Sequence, residues 1–117
     1  MVLSIPTYAT NVERQAYLDA AEIAGIKCIK LLNESTAIAL NYGFFRKGDL
    51  SADVPRIVAF VDLGHSKLTV TFASFLQSKT KILYTFSDRN MGARQIDYQL
   101  FDYIGAEFEK KHGCDPR

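Results

Sequence analysis

The sequence contains no tryptophan, only two cysteines and three prolines, and almost no excess of either charge. With a formal net charge of +1, it lacks the basic surface by which proteins bind DNA, RNA or anionic membranes. Cys28 and Cys114 stand at a spacing that fits neither a metal site nor a redox motif. We therefore predict two free thiols, as is usual in a reducing compartment, and no nucleic-acid partner.

Long apolar runs are absent as well. None approaches the roughly 20 residues of a membrane-spanning helix, and the N-terminal residues show no signal-peptide pattern. His65 and His112 have no ligand partner at metal-binding spacing. These absences predict a cytosolic or nuclear protein with no membrane segment and no histidine-based metal site.

The residues that are present have the composition of a globular protein. Among 117 residues, 48% are hydrophobic and 23% charged, which allows one domain or parts of two. Residues 2–6 and 26–33 have strand patterns, and residues 11–25 and 34–43 have helical spacing. The resulting order, β-α-β-α, predicts parallel strands with helices on the faces of the sheet.

The first predicted helix has recognisable ends. Asn11 is a candidate N-cap and Gly25 a candidate C′ residue. Small and apolar residues recur at helical spacing and predict one narrow buried face. That face consists of Val12, Ala16, Ala20, Ile23 and Ala24.

The second half of the sequence has a different pattern. Residues 44–55 lack periodicity, and we place a boundary between lobes there, because such long connections are uncommon inside a compact domain. Residues 57–61 are continuously apolar, which predicts a strand buried on both faces. Two further strand patterns predict an antiparallel meander, and residues 94–113 predict a long helix. Its predicted buried face is Ile96, Leu100, Ile104 and Phe108.

The segment "VDLGHS" could form a ligand-binding turn. A buried strand ends on Asp62, and Gly64 has no side chain to keep a ligand away from the backbone. Consecutive amides in such a turn can attract phosphate oxygens, and the aspartate could hold Mg²⁺ through water. The plainer interpretation, a tight hairpin with a polar cap, also fits the tripeptide. In the same way, Glu34 could simply favour its helix dipole or could face a nucleotide.

Three segments together resemble the ATPase domain of the heat-shock protein 70 superfamily over essentially the whole chain. They are "IPTYATNVERQAYLDAAEIAGIKCIKLLNESTAIALNYG", "VDLGHS" and "NMGARQID". The family pattern begins valine-proline-alanine-tyrosine-phenylalanine, and continues with asparagine-glutamate-proline-threonine and an aspartate-leucine-triple-glycine turn. Here "NEST" and "DLGHS" replace the second and third patterns, which is similar to the heat-shock protein 110 branch.

The resemblance implies an α/β fold of the actin-like ATPase (ribonuclease H-like) type, of which this chain would form the middle. A parallel βαβα segment would be followed by an antiparallel meander and a long helix. Residues 1–44 would end lobe I, residues 45–55 would connect the lobes, and residues 56–117 would begin lobe II. ATP or ADP with Mg²⁺ would bind in the cleft between the lobes.

The resemblance also implies roles for individual residues. Asp62 matches the family's magnesium-side aspartate, and Glu34 matches its catalytic-cleft glutamate. The positions that match the family's phosphate-binding glycines are Gly64, His65, Ser66 and, later in the chain, Gly92. Without the family pattern, Pro6 and Arg14 would be a strand terminator and a solvated helix face. They match the proline and arginine that relay nucleotide state between lobes.

Several positions depart from the hydrolytic pattern. Lys67 stands where the family has a phosphate-contacting threonine, Thr69 where it has a second aspartate, and Ala93 where it has a second glycine. Lys67 could hold phosphate charge without orienting water. The resemblance therefore implies nucleotide binding with slow hydrolysis.

The predicted function is part of a heat-shock protein 110-type chaperone, a nucleotide exchange factor for heat-shock protein 70 that also holds unfolded clients. The first alternative is an active ATPase of the conventional heat-shock protein 70 type. More distant alternatives are an actin-like or sugar-kinase enzyme and a folded scaffold without ligand. Alone, the 117 residues are expected to lack catalysis and to self-associate through apolar faces.

Overall fold

The computed structural model of the chain describes residues 1–116 and has alternating helices and strands. The elements are β1 (Val2–Ile5), α1 (Asn11–Ile23), β2 (Lys30–Asn33), α2 (Glu34–Phe45), a short 3-10 helix (Lys47–Asp49), β3 (Arg56–Leu63), β4 (Leu68–Leu76), β5 (Lys79–Asp88) and α3 (Ala93–His112). They form two compact units. The first consists of residues 1–60 and 70–87, and the second of residues 61–69 and the chain from Asp88 onward.

The first two strands pair in parallel, as the β-α-β-α pattern predicts. Val2 lies opposite Lys30 and Ile5 opposite Asn33. β2 is shorter than predicted and begins at Lys30, although the Ile29 amide still donates to the Met1 carbonyl oxygen at 2.8 Å. The strand therefore covers only the second half of the predicted range 26–33.

Helix α1 begins one residue earlier than predicted. Thr10, not Asn11, is the N-cap: the Glu13 amide donates to the Thr10 hydroxyl at 3.3 Å, and the Thr10 amide donates to the Glu13 carboxylate at 2.7 Å. This is a reciprocal capping box. At the other end, Gly25 has a φ of 69°, which confirms its predicted C′ position.

The predicted buried face of α1 is wrong for this structure. Val12 is 80% exposed and Ile23 is 88% exposed, whereas Ala21 is buried. The periodicity correctly identifies an apolar stripe, but none of the described residues covers it.

The core of the first unit lies between α2 and the meander, whose strands have the order β3-β4-β5. The buried members of this core are Ala39, Leu50, Ala73 and Phe75, and the partly buried residues packed against them are Tyr42, Val58, Phe60 and Ile82. Leu50, which is only 6% exposed, comes from the aperiodic connection. The connection is therefore anchored in the core, and its predicted role as the link between lobes stays a prediction.

The sheet strands are less buried than the sequence predicts. In β3, Val58 and Phe60 are partly buried, but Ile57 is 65% and Val61 is 68% exposed, so the strand is not covered on both faces. In β4, buried residues alternate with less buried ones, and the buried side consists of Thr69 and Thr71 followed by the core residues Ala73 and Phe75. Sequence alternation identifies two faces, but it cannot tell which of them finds a partner.

Helix α3 shows the same discrepancy. Its predicted buried residues are exposed, from 39% for Phe108 to 59% for Ile96, and Gly105 is the buried residue of the helix. Gly113 ends α3 with a φ of 70°, as its position predicts. Cys28 and Cys114 are both free thiols, as expected. Within residues 1–116, no helix has the length and apolar character needed to cross a membrane.

The exposed apolar face of α3 predicts self-association of the 117-residue chain. We expect a dimer by light scattering at concentrations where small globular proteins are monomers. Replacing Ile96 and Ile104 by glutamine should restore the monomer, because both side chains lie on that face and are more than half exposed. A matched replacement of Val54, which is 70% exposed outside the helix, should leave the dimer intact. A stable monomer at high concentration would contradict the prediction.

Candidate functional site

The turn between β3 and β4 is the first part of the candidate site. Asp62 is half-buried near the end of β3, and the Gly64 amide donates to the Lys67 carbonyl oxygen at 2.9 Å. This hydrogen bond closes a four-residue turn. His65 and Ser66 lie exposed at its tip.

The first residues of α3 hold this turn. The Ala93 amide donates to the Gly64 carbonyl at 2.9 Å, and the Arg94 amide donates to the His65 carbonyl at 3.0 Å. The first amides of a helix have no partner within the helix itself. Here two of them bind the turn, which joins segments almost thirty residues apart in the sequence.

Gly92 lies directly beneath the turn and is buried. A Cβ atom at this position would lie 2.7 Å from the carbonyl carbons of His65 and Ser66, and closer still to the His65 oxygen. Its φ of −157° is ordinary extended backbone, so glycine is needed for space and not for conformation. Any side chain at residue 92 would have to displace the turn.

Two residues that sequence reasoning missed support this arrangement. The Gly92 amide donates to the Gln95 side-chain oxygen at 2.8 Å, and the Gln95 amide donates to the Gly92 carbonyl at 3.0 Å. The signal was available, since a glutamine three residues after an N-cap is part of the capping-box pattern. The second residue is Arg94, whose amide holds the His65 carbonyl oxygen. The Nε atom of its side chain is buried without a hydrogen-bond partner among residues 1–116.

A second cluster lies in the first unit, between the β1–α1 connection and the start of α2. The Arg14 guanidinium donates to the Ala9 carbonyl from Nε at 3.0 Å and to the Asn33 side-chain oxygen from Nη2 at 3.0 Å. Nη2 also donates to the Thr7 carbonyl at 3.4 Å. Arg14 therefore connects the residues after Pro6 with the end of β2, and it is not a merely solvated helix residue.

Glu34 is the first residue of α2, half-buried and flanked by Asn33 and Ser35. The Ser35 hydroxyl lies 2.9 Å from the Thr7 hydroxyl. Asn33 is the N-cap of α2 but makes no capping hydrogen bond, and its side-chain oxygen accepts from Arg14 instead. The structure thus brings together Pro6, Arg14 and Glu34 in one neighbourhood of the first unit.

Comparison with known proteins identifies the family. The sequence model described as "Hsp70 protein" matches residues 1–117. The chain belongs to the Hsp70 family. "Heat shock 70 kDa protein 4" of Rattus norvegicus is 42% identical over 116 residues, which are 97% of this chain and 14% of that protein. "97 kDa heat shock protein" of Mesocentrotus franciscanus is 40% identical over 97% of the chain and 13% of its own length.

Membership confirms the prediction made from the three quoted segments, including the resemblance to the heat-shock protein 110 branch. The Hsp70 family consists of ATP-binding chaperones with the actin-like ATPase fold. The parallel strand pair and the three-stranded meander agree with part of such a fold. The chain spans about one seventh of the length of these relatives, since it covers 14% of one and 13% of the other.

The β3–β4 turn of this Hsp70 chain has groups that fit a phosphate. The amides of His65 and Ser66 make no hydrogen bond with any other residue among 1–116, and both residues are exposed, so two consecutive donors at the tip of the turn are available to a ligand. A Cβ at Gly64 would meet only ordinary contacts, the nearest being the Lys67 carbonyl oxygen at 3.6 Å. Nothing in the described chain therefore requires glycine at residue 64. Close approach of a ligand to the backbone would be a reason for glycine at this position.

Asp62 fits magnesium of the kind that accompanies a nucleotide. Residues 1–116 contain no group of three acidic, histidine or cysteine side chains that could cage a metal. Mg²⁺ bound with phosphates needs only one or two carboxylates and keeps several waters. The assignment of Asp62, Gly64, His65, Ser66, Lys67 and Gly92 as nucleotide contacts, and of Glu34 as a catalytic group, stays a prediction.

Proposed function

We propose that the chain forms part of the ATP-binding domain of a heat-shock protein 110-type chaperone, which acts as a nucleotide exchange factor for heat-shock protein 70. The observation that carries the proposal is the β3–β4 turn, which is held by the first amides of α3 and whose tip has two amides without a hydrogen-bond partner among residues 1–116. Residues 1–44 are proposed to end lobe I, residues 45–55 to connect the lobes, and residues 56–117 to begin lobe II.

ATP is proposed to act as a conformational clamp with slow hydrolysis. His65 adds a side chain at the exposed tip of the turn, where the family pattern has glycine. Lys67 supplies a cation that would attract phosphate in the ground state. Thr69 is only 8% exposed and offers a hydroxyl where the family pattern has an acid. Interactions that favour bound ATP and the transition state equally tighten binding without accelerating the chemical step.

The partners proposed for the whole protein follow from this function. They are a heat-shock protein 70 chaperone and unfolded client chains, with ATP or ADP and Mg²⁺ as cofactors. Asp62 would hold the metal through water, and the amides of His65 and Ser66 would bind phosphate oxygens. The protein is proposed to act in the cytosol or nucleus.

Asp62→Asn tests the proposal in the ATPase domain that carries this chain. The substitution keeps the shape of the side chain and removes its charge. We expect Mg²⁺-dependent ATP affinity to fall about fivefold, or about 1 kcal/mol, while affinity measured with EDTA stays unchanged. Calorimetric titration with and without Mg²⁺ measures both values.

Asp53→Asn is the matched control, because Asp53 is an exposed aspartate outside the turn. It should not change either affinity. Failure of the unmodified domain to bind ATP, or equal affinities for Asp62→Asn and the control, would contradict the proposed function.

A further inference from the structure

The two residues that flank Glu34 are both tied to the segment that follows Pro6. On one side, the Asn33 side-chain oxygen accepts from Arg14 Nη2 at 3.0 Å. On the other side, the Ser35 hydroxyl lies 2.9 Å from the Thr7 hydroxyl. Glu34 thus stands between two side-chain contacts that lead to the same stretch of chain.

On its Ser35 side, the Thr7–Ser35 hydrogen bond is shielded from water, so its loss would not be compensated there by solvent. Ser35 is 3% exposed, and Thr7 is half-buried. A buried hydroxyl that loses its partner is left without compensation for its lost hydration. Each of the two hydroxyl groups therefore supplies the hydrogen-bond partner of the other, and either can be the donor.

This contact cannot form in the general family pattern, which has alanine at the position of Thr7 and proline at the position of Ser35. Neither of those residues has a side-chain donor or acceptor. The hydrogen bond is therefore an additional link that this sequence supplies by two matched substitutions. The Arg14–Asn33 contact does not depend on either of them.

We propose that Thr7 and Ser35 are positioning residues, whose hydrogen bond fixes the orientation of Glu34 relative to Pro6. The inference rests on the proposed function, in which Glu34 acts on bound nucleotide. On the N-terminal side of Glu34, Asn33 is held by the pairing of β2 with β1, where it lies opposite Ile5, and by the hydrogen bond from Arg14. The Thr7–Ser35 hydrogen bond adds an attachment on the C-terminal side, so that both neighbours of Glu34 in the chain are held.

The start of α2 depends on such external contacts. The Asn33 side-chain oxygen accepts a hydrogen bond from Arg14, and Asn33 makes no capping hydrogen bond to the helix. Besides the strand pairing of Asn33, side chains from outside α2 therefore help to set the orientation of its first turn. A small misplacement of a group that acts on a reacting centre lowers the rate more than it lowers binding.

Four single variants and one double variant in the ATPase domain that carries this chain test the proposal. Thr7→Val and Ser35→Ala remove the hydroxyls, whereas Thr7→Ser and Ser35→Thr keep them. Single-turnover ATP hydrolysis should be about fivefold slower in each of the first two variants, with ATP affinity within about twofold of the unmodified domain. The conservative variants should retain the unmodified rate, and the double variant Thr7→Val/Ser35→Ala should be no slower than either single variant.

Each other result counts against the proposal. Unchanged rates in Thr7→Val and Ser35→Ala, with normal ATP binding, would overturn it and leave the proposed function standing. A loss of affinity and thermal stability in proportion to rate would show a merely structural contact and also overturn it. Additive losses in the double variant would mean that the two hydroxyls act separately. Absence of ATP binding in the unmodified domain would reject the proposed function, and this inference with it.

Discussion

Gly92→Ala is expected to weaken ATP binding about a hundredfold, or about 2.7 kcal/mol. The added methyl group would lie 2.7 Å from two backbone carbonyl carbons of the turn, which cannot move aside as a flexible side chain could. Overpacking of this kind forces backbone shifts. The hydrogen bonds from Ala93 and Arg94 to the turn would lengthen or break, and the amides of His65 and Ser66 would be displaced with it.

The measurement is calorimetric titration with ATP, accompanied by amide hydrogen exchange at Ala93 and Arg94. Gly48→Ala is the control, because a Cβ there meets nothing within 4 Å and the backbone has no positive φ. If Gly92→Ala retains its ATP affinity and the amides of Ala93 and Arg94 stay protected from exchange, the turn does not require a glycine at residue 92. Faster exchange with unchanged affinity would separate the turn from nucleotide binding.

The triple variant His65→Gly, Lys67→Thr and Thr69→Asp is expected to hydrolyse ATP about tenfold faster in a single turnover, which corresponds to about 1.4 kcal/mol of barrier. Each change restores the family's hydrolytic pattern. The glycine frees the tip of the turn, the threonine supplies a hydroxyl to the phosphate, and the aspartate can help to position water or metal. Much of catalysis in phosphoryl transfer comes from such positioning.

The control for the triple variant is Ser74→Thr, a conservative change on the same strand outside the turn. It should hydrolyse ATP at the unmodified rate. The decisive comparison is between the unmodified domain and a conventional heat-shock protein 70. Equal rates would remove the clamp from the proposed function and favour the active-ATPase alternative.

The order of elements was predictable because it depends on local patterns. The strand from Val2, the glycine end of α1 at Gly25 and the end of α3 at Gly113 all follow from short-range chemistry. The buried face of each helix and strand was not predictable in the same way. Ile96 and Ile104 mark an apolar stripe on α3, but burial depends on a partner surface, and the described residues supply none.

The candidate site was predictable only in part. The strand that ends near Asp62, with Gly64 in a turn, can be recognised from an apolar run followed by polar residues. The hydrogen bonds between that turn and α3 could not be predicted, because the backbone amides of Ala93 and Arg94 that form them are present whatever the side chain. The Thr7–Ser35 contact was missed for a similar reason: the residues are far apart in sequence, and small hydroxyl side chains are common everywhere.

The diverted side chain of Asn33 has a consequence for local stability. A helix whose N-cap side chain is occupied elsewhere forgoes a contribution of about 1 kcal/mol at its first turn. Regions with little local stabilisation open without global unfolding and exchange their amide hydrogens early. The turn that carries Glu34 therefore takes its order from the Arg14–Asn33 and Thr7–Ser35 contacts, so that loss of either contact should speed amide exchange at the start of α2 before it affects the packed middle of the helix at Ala39.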